Sequence, residues 1–207
     1  MVTEEKKDAA GKTPKAERTK ELLYRTAMQL LIERGFRATT IRDICSAAGV
    51  SVGTFYLYFE SKHAILFEIV RKLDHYFTDE VQPALEGSGT EEKILRYFEA
   101  YGAYLQALSF DTVCVLFSVE DVWITRYRPM HRVLTAILME GQLKGEIRRE
   151  QEAEDLCRYL FMGATGVIFT WCTMQGQTDL QQQIRGQIRL QLNSILQEPG
   201  PAAGSGS

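Results

Sequence analysis

The chain is short of the groups that most enzymes and membrane proteins depend on. Its three histidines, at 63, 75 and 131, fall on different predicted elements and form no HExxH or other metal-ligand spacing. Neither a G-x-S-x-G elbow nor a phosphate-binding glycine loop is present. A hydrolase would have to draw on groups such as His131 with Cys114 or Glu120, which share no catalytic motif. No catalytic residue, no metal site and no cofactor is therefore expected. The four cysteines, at 45, 114, 157 and 172, lack CxxC spacing and mostly sit in apolar helical patterns, so free buried thiols in a reducing compartment are expected. No apolar run reaches membrane-spanning length and no signal-peptide core opens the chain, which predicts a cytoplasmic protein with no membrane partner. An excess of positive charge is missing too. With a net charge of −3, any nucleic-acid surface has to be local.

Helical periodicity fills the space that these absences leave. Residues 1–15 carry almost no large apolar side chains and read as a disordered arm, and 198–207 as a disordered tail. A first helix runs over 16–34 with Leu22, Leu23, Ala27, Leu30 and Leu31 as its inward stripe and Gly35 as its end. Further on, 62–84 reads as one long helix stopping near Pro83, and 91–108 as an amphipathic helix. Asp111 is a candidate cap for a short helix after it. Pro129 implies a helix that kinks there or starts there. The last two helices span 152–174 and 178–196, with Gly163 and Gly166 suited to close approach by another backbone.

The most informative stretch is 40–62. Thr40 and Asp43 form a capping box, Ile41, Ile44 and Cys45 make one apolar face, and Gly49 permits a sharp turn. Ser51 caps a second short helix, with Val52, Phe55 and Phe59 on its core side and Gly53, Thr54, Tyr56 and Tyr58 facing outward. Two helices joined at such an angle either dock a recognition helix in a DNA major groove or pack as a hairpin inside a helical protein. Charge favours the first, because residues 12–42 hold eight Lys and Arg against three Glu.

Read together, Gly35-Phe36, Thr39 to Ile44, Ala47 to Ser51, Gly53 to Phe59 and Ser61-Lys62 resemble the DNA-binding module of the TetR family of bacterial transcriptional repressors. The resemblance covers roughly 17–65. It implies an all-α homodimer of about nine helices per chain. An N-terminal helix-turn-helix domain, 16–61, would bind a palindromic double-stranded DNA operator. A connecting helix, 62–84, would lead to an effector-binding and dimerisation domain, 85–197, pairing through 152–174 and 178–196. Carried onto this chain, the DNA contacts would be Thr40, Arg42, Ser51, Gly53, Thr54, Tyr56 and Lys62. Thr54 would approach a base edge, Gly53 would permit the close fit, and Tyr56, Thr40 and Lys62 would hold phosphates.

An aromatic inventory between 91 and 174 suits a bulky hydrophobic small-molecule effector. Its candidate contacts are Tyr101, Tyr104, Phe117, Trp123, Tyr127, His131, Phe161, Thr165 and Phe169. The same side chains serve equally well as packed core. The Tyr-Arg-Pro-Met-His segment and the G-x-L-x-G-E-I run at 141–147 are similar to TetR-type regulators of fatty-acid metabolism, whose ligands are acyl-CoA thioesters. On that resemblance Arg126, Arg128 or Arg132 would meet CoA phosphates at a pocket mouth. Two alternatives stand beside the hydrophobic-effector repressor: an acyl-CoA-responsive regulator of lipid metabolism, and a dimeric DNA-binding regulator without small-molecule response.

Overall fold

The computed structural model describes residues 14–118 and 128–197. Val119, Glu120, Trp123, Arg126 and Tyr127, the arm before residue 14 and the tail after 197 lie outside the described residues. Nine helices make up the described chain, with one isolated antiparallel bridge between Ile147 and Leu196. Helix α1 (Pro14–Arg34), α2 (Ile41–Ala48) and α3 (Val52–Tyr56) come first. Helix α4 is continuous through three pieces, His63–Tyr76, a π-helical stretch Phe77–Val81, and a last turn Gln82–Ala84. Then follow α5 (Thr90–Gln106), α6 (Phe110–Ser118), α7 (Pro129–Lys144), α8 (Ala153–Thr173) and α9 (Leu180–Ile195).

Helix α1 begins two residues earlier than expected, because a proline is tolerated in a first turn, where its missing N–H would have no partner. Its buried stripe is Leu23, Tyr24, Ala27, Leu30 and Leu31, while Leu22 is 46% exposed. The widened turn in α4 has a local cause. Pro83 has no N–H to donate to the Asp79 carbonyl, and the π spacing, closed by Gln82 N–H on the Phe77 carbonyl, accommodates that gap. Pro129 opens α7 rather than kinking it, and His131 Nδ1 accepts the Arg128 N–H at 3.0 Å. Asp111 does not cap α6. Ser109 Oγ accepts the Thr112 N–H instead, at 3.3 Å, and leaves the Asp111 carboxylate for another element.

Two packed groups result. The first joins α1, α2 and α3 to the start of α4 around Leu23, Leu31, Ile44, Phe55 and Ile65, all fully buried. In the second, α5 lies against α9 and α7, and α8 packs between α7 and α9. Gly163 of α8 faces α9 so closely that a Cβ there would fall 2.1 Å from Gln191 Oε1, whereas a Cβ on Gly166 would meet nothing within 4 Å. Gly141 is equally crowded, with Thr90 Cγ2 at 2.5 Å and Ile147 Cγ1 at 2.7 Å from a built Cβ. Among the described residues no single helix is long and apolar enough to cross a membrane.

Candidate nucleic-acid interface

The α2–α3 turn is assembled from local hydrogen bonds. Thr40 Oγ1 accepts the Asp43 N–H at 3.2 Å, and Asp43 returns by accepting the Thr40 N–H at 2.8 Å. The Thr40 hydroxyl and backbone together hold the Asp43 carboxyl below the usual carboxylate range. Gly49 takes φ +66°, and its N–H closes α2 on the Cys45 and Ser46 carbonyls. Ser51 Oγ accepts the Thr54 N–H at 3.1 Å and lies 2.9 Å from Thr54 Oγ1, so α3 starts one residue on. Phe55 and Phe59 turn inward, with rings 5.5 Å apart, and anchor the helix. Val52 is 39% exposed, since a helix of five residues keeps only one turn against the core.

The outward side of this module carries Thr40, Arg42, Ser51, Gly53 and Tyr56, all exposed, with Thr54 half-buried. A Cβ on Gly53 would meet only Ser51 Oγ, at 3.7 Å, so nothing inside the chain requires a glycine there. Leu57, 79% exposed, extends the same end and was absent from the expected contacts. Lys62 is placed differently from the other six. Its ammonium donates to the Phe36 and Thr39 carbonyls, 2.8 Å each, and lies 4.3 Å from the Phe36 ring centre. Burial lowers its pKa, and Asp111 partly opposes that. In this arrangement Lys62 staples the end of α1 to the start of α4.

Three links tie the module to the rest of the chain, and the sequence reading saw none of them. Asp111 of α6 accepts the Arg37 N–H at 2.7 Å and Arg37 Nη1 at 2.5 Å, directly over Gly35. Glu68 of α4 accepts Lys20 at 2.9 Å and also pairs with Arg71. Burial alone would raise the Glu68 pKa, but hydrogen bonds from Arg71 and Lys20 outweigh it and bring it to about 2. Lys72 meets Glu21 at 2.8 Å. Charged side chains forty-eight to seventy-four positions apart are what make these links, and single-helix periodicity carries no trace of them.

Of the expected effector contacts, the structure gathers Tyr101, His131 and Phe161. They join Phe77, Tyr97 and Phe98 in one ring cluster, with His131 and Phe161 centroids 4.3 Å apart and Tyr101 and Phe161 5.7 Å apart. Tyr97 is fully buried and donates to the Met130 carbonyl at 2.9 Å. Tyr104 lies elsewhere, donating to the Ile69 carbonyl at 3.4 Å with its ring 5.6 Å from Tyr76. Phe117 and Thr165 are half-buried on α6 and α8. Phe169 is 68% exposed on the outer side of α8, so it does not line the interior. Arg128 is not at a surface mouth either. It is buried and grips Asp74 of α4 through Nε, at 3.2 Å to each carboxylate oxygen, and through Nη2 at 3.1 Å. Arg132 is exposed. A separate cleft of about 1000 Å³ lies between the start of α5, the Gly145 turn and α9, lined by Glu91, Glu92, Arg189 and Asn193. None of the expected effector contacts borders it. No cluster of three or more His, Cys, Asp or Glu suited to a metal occurs among the described residues.

Comparison with known proteins follows the division seen in the fold. The model of "Bacterial regulatory proteins, tetR family" matches residues 23–69, the module described above. The HTH-type transcriptional repressor KstR2 of Rhodococcus jostii is 34% identical over 162 residues, covering 74% of this chain and 78% of that protein. Its counterpart in Mycolicibacterium smegmatis is 25% identical over 194 residues, covering 89% and 94%. The crystal structure of Thermus thermophilus FadR, a TetR-family transcriptional repressor in complex with lauroyl-CoA, superimposes with a TM-score of 0.69 at 25% identity, covering 90% of this chain and all of that one. The identity to the Rhodococcus repressor runs far past the DNA-binding module into the second group of helices, so the chain belongs to the tetR family of bacterial regulatory proteins.

Proposed function

We propose that this chain is a ligand-responsive repressor that holds a palindromic operator as a homodimer and is released by a hydrophobic small molecule. As a family member it is a DNA-binding transcriptional regulator and not an enzyme. The observation that carries the reading is the outward end of α3, where Ser51, Gly53 and Tyr56 are exposed and Gly53 has no packing reason within the chain to be glycine. A backbone free of Cβ at that point lets the helix approach a base edge. Thr40, Arg42, Ser51, Gly53, Thr54 and Tyr56 make the contacts. Lys62 acts behind them by fixing the module's angle.

The second copy binds on the outer side of α8 and α9. Tyr159, Met162 and Phe169, at 41%, 68% and 68% exposure, follow each other at helical steps with Gly166 between them, and Leu190 at 67% continues the patch on α9. So much apolar surface on one side of a helix pair suits an isologous four-helix contact. The dimer then sets the spacing of two α3 helices against consecutive major-groove half-sites, about 34–36 Å apart.

For the effector, the likeness to the lauroyl-CoA complex makes an acyl-CoA thioester the first class to test. The acyl chain would enter beside the Tyr101, His131 and Phe161 rings, which belong to the same bundle as α4. Effector binding there moves α4, whose Asp74 is held by Arg128, and α4 carries the DNA-binding module. The test is a mobility shift with duplexes selected by the protein from a random pool, followed by titration with acyl-CoAs of graded chain length. Release by one chain-length window is expected. Absence of sequence-selective duplex binding at low salt sinks the repressor reading. Selective binding that no acyl-CoA or lipophilic compound alters leaves a regulator without small-molecule response.

A further inference from the structure

The outward end of the DNA-binding module lacks the side chains that most often read bases. From Ile44 to Phe59 the sequence holds no Asp, Glu, Lys, Arg, His, Asn or Gln. Bidentate pairing takes Arg or Lys for guanine and Asn or Gln for adenine, and cytosine is read by Asp or Glu. None of these is available on α3. Arg42 is exposed, but it belongs to α2, and the first helix of such a pair crosses the phosphate backbone while the second enters the groove. The two small hydroxyls at the start of α3 are engaged with each other, since Ser51 Oγ accepts the Thr54 N–H at 3.1 Å and lies 2.9 Å from Thr54 Oγ1. A hydroxyl both donates and accepts, so it separates one base from another poorly.

What this end does present is apolar. Val52, Tyr56 and Leu57 are 39%, 54% and 79% exposed. Leu57 follows Gly53 by four residues, and its backbone, at φ −70° and ψ −22°, carries the path of α3 one residue further, so the two share a face. Along that face Gly53 is the point where the backbone is bare, with only Ser51 Oγ within 4 Å of a built Cβ. A lone exposed leucine is ordinary on a protein surface, but this one stands a single turn beyond the bare backbone, on the side that meets the groove. We propose that α3 reads thymine methyl groups with Leu57 as the principal reader, so that T·A pairs fix the bases under this helix. The C5-methyl of thymine is the one apolar group that a base pair offers in the major groove. Leucine covering it takes both out of water and requires no polar partner, and one methyl so covered is worth about fourfold in affinity.

This assignment rests on the repressor reading, and the experiment separates the two. Duplexes are selected from a random pool by the full-length protein, and each thymine of a half-site is replaced in turn by deoxyuridine, which keeps base pairing and removes only the methyl. At least one replacement per half-site should weaken binding by about fourfold. Leu57→Ala should weaken binding to the thymine duplex and bring the ratio between thymine and uracil duplexes close to one, whereas Leu57→Met should keep the ratio. That comparison is a double-mutant cycle, so any effect of uracil on DNA shape cancels. The melting temperature of Leu57→Ala and its salt slope should match the wild type, because the side chain is mostly exposed and holds no phosphate. A selected duplex indifferent to uracil at every position overturns the thymine reading. A uracil effect that survives in Leu57→Ala overturns Leu57 as the reader. Failure to select any duplex refutes the repressor reading and this assignment with it.

Discussion

At the residue scale, two half-buried groups make opposite demands on charge. Lys62 keeps an ammonium where two carbonyls and an aromatic face can use it. Replacing it by Met leaves the Phe36 and Thr39 carbonyls without that donor, at a cost of about 1–2 kcal/mol in denaturant unfolding. Operator affinity should fall, yet the slope of log affinity against log salt should stay as in the wild type. A lost phosphate contact would instead lower that slope by about 1. His131 is the converse case. Burial chiefly, then the Arg128 charge, lowers its pKa from 6.5 to about 4, with Asp74 opposing, and its Nδ1 accepts the Arg128 N–H in the neutral form. The unfolded chain therefore binds the proton first as pH falls below 6.5. Stability from this group is complete above 6.5 and is lost as pH falls toward 4. His131→Asn keeps an acceptor and does not titrate, so its melting temperature should decline less between those limits, by the equivalent of about 2 kcal/mol at the acid end.

Helix meets helix through glycines that sequence alone can only nominate. Gly163 and Gly166 look alike in the sequence, three residues apart on one apolar helix. Only Gly163 faces α9, and Gly166 opens outward beside Met162 and Phe169. The 141–147 run was legible as a turn, and its details follow. Gly145 takes φ +73°, the Gly141 carbonyl accepts the Glu146 and Ile147 N–H groups at 2.9 and 3.2 Å, and Glu146 caps α5 through the Thr90 N–H at 3.1 Å. What the pattern concealed is the reason for Gly141, which sits under the two stiff, β-branched side chains Thr90 and Ile147. Gly141→Ala must push both aside, and a loss of about 1–3 kcal/mol is expected in thermal or denaturant unfolding. An unchanged midpoint would mean that α5 and α7 separate more easily than this packing implies.

For the whole molecule, the DNA-binding half was readable because its determinants are local. A capping box, a left-handed glycine and a serine cap each act within four residues, and all three recur in the structure as expected. The effector half was less readable, because one apolar pattern serves core, pocket and subunit contact alike. Tyr101, Phe161 and Phe169 were indistinguishable as helical aromatics, yet the first is buried, the second half-buried and the third 68% exposed. That difference decides the last prediction. If Phe169 and Met162 are covered by a second copy, a carboxylate at 169 places a charge in the middle of an apolar contact between subunits, where desolvation opposes association. Phe169→Asp should then sediment as a monomer with unchanged helix content, since most of the side chain is exposed in the single chain. Each half-site would be left to bind alone, and the loss of the linked second contact should weaken operator binding by about a hundredfold or more. A variant that remains dimeric with full affinity would remove α8 from the subunit contact. A variant that unfolds would show instead that Phe169 belongs to the core of the single chain, contrary to its exposure.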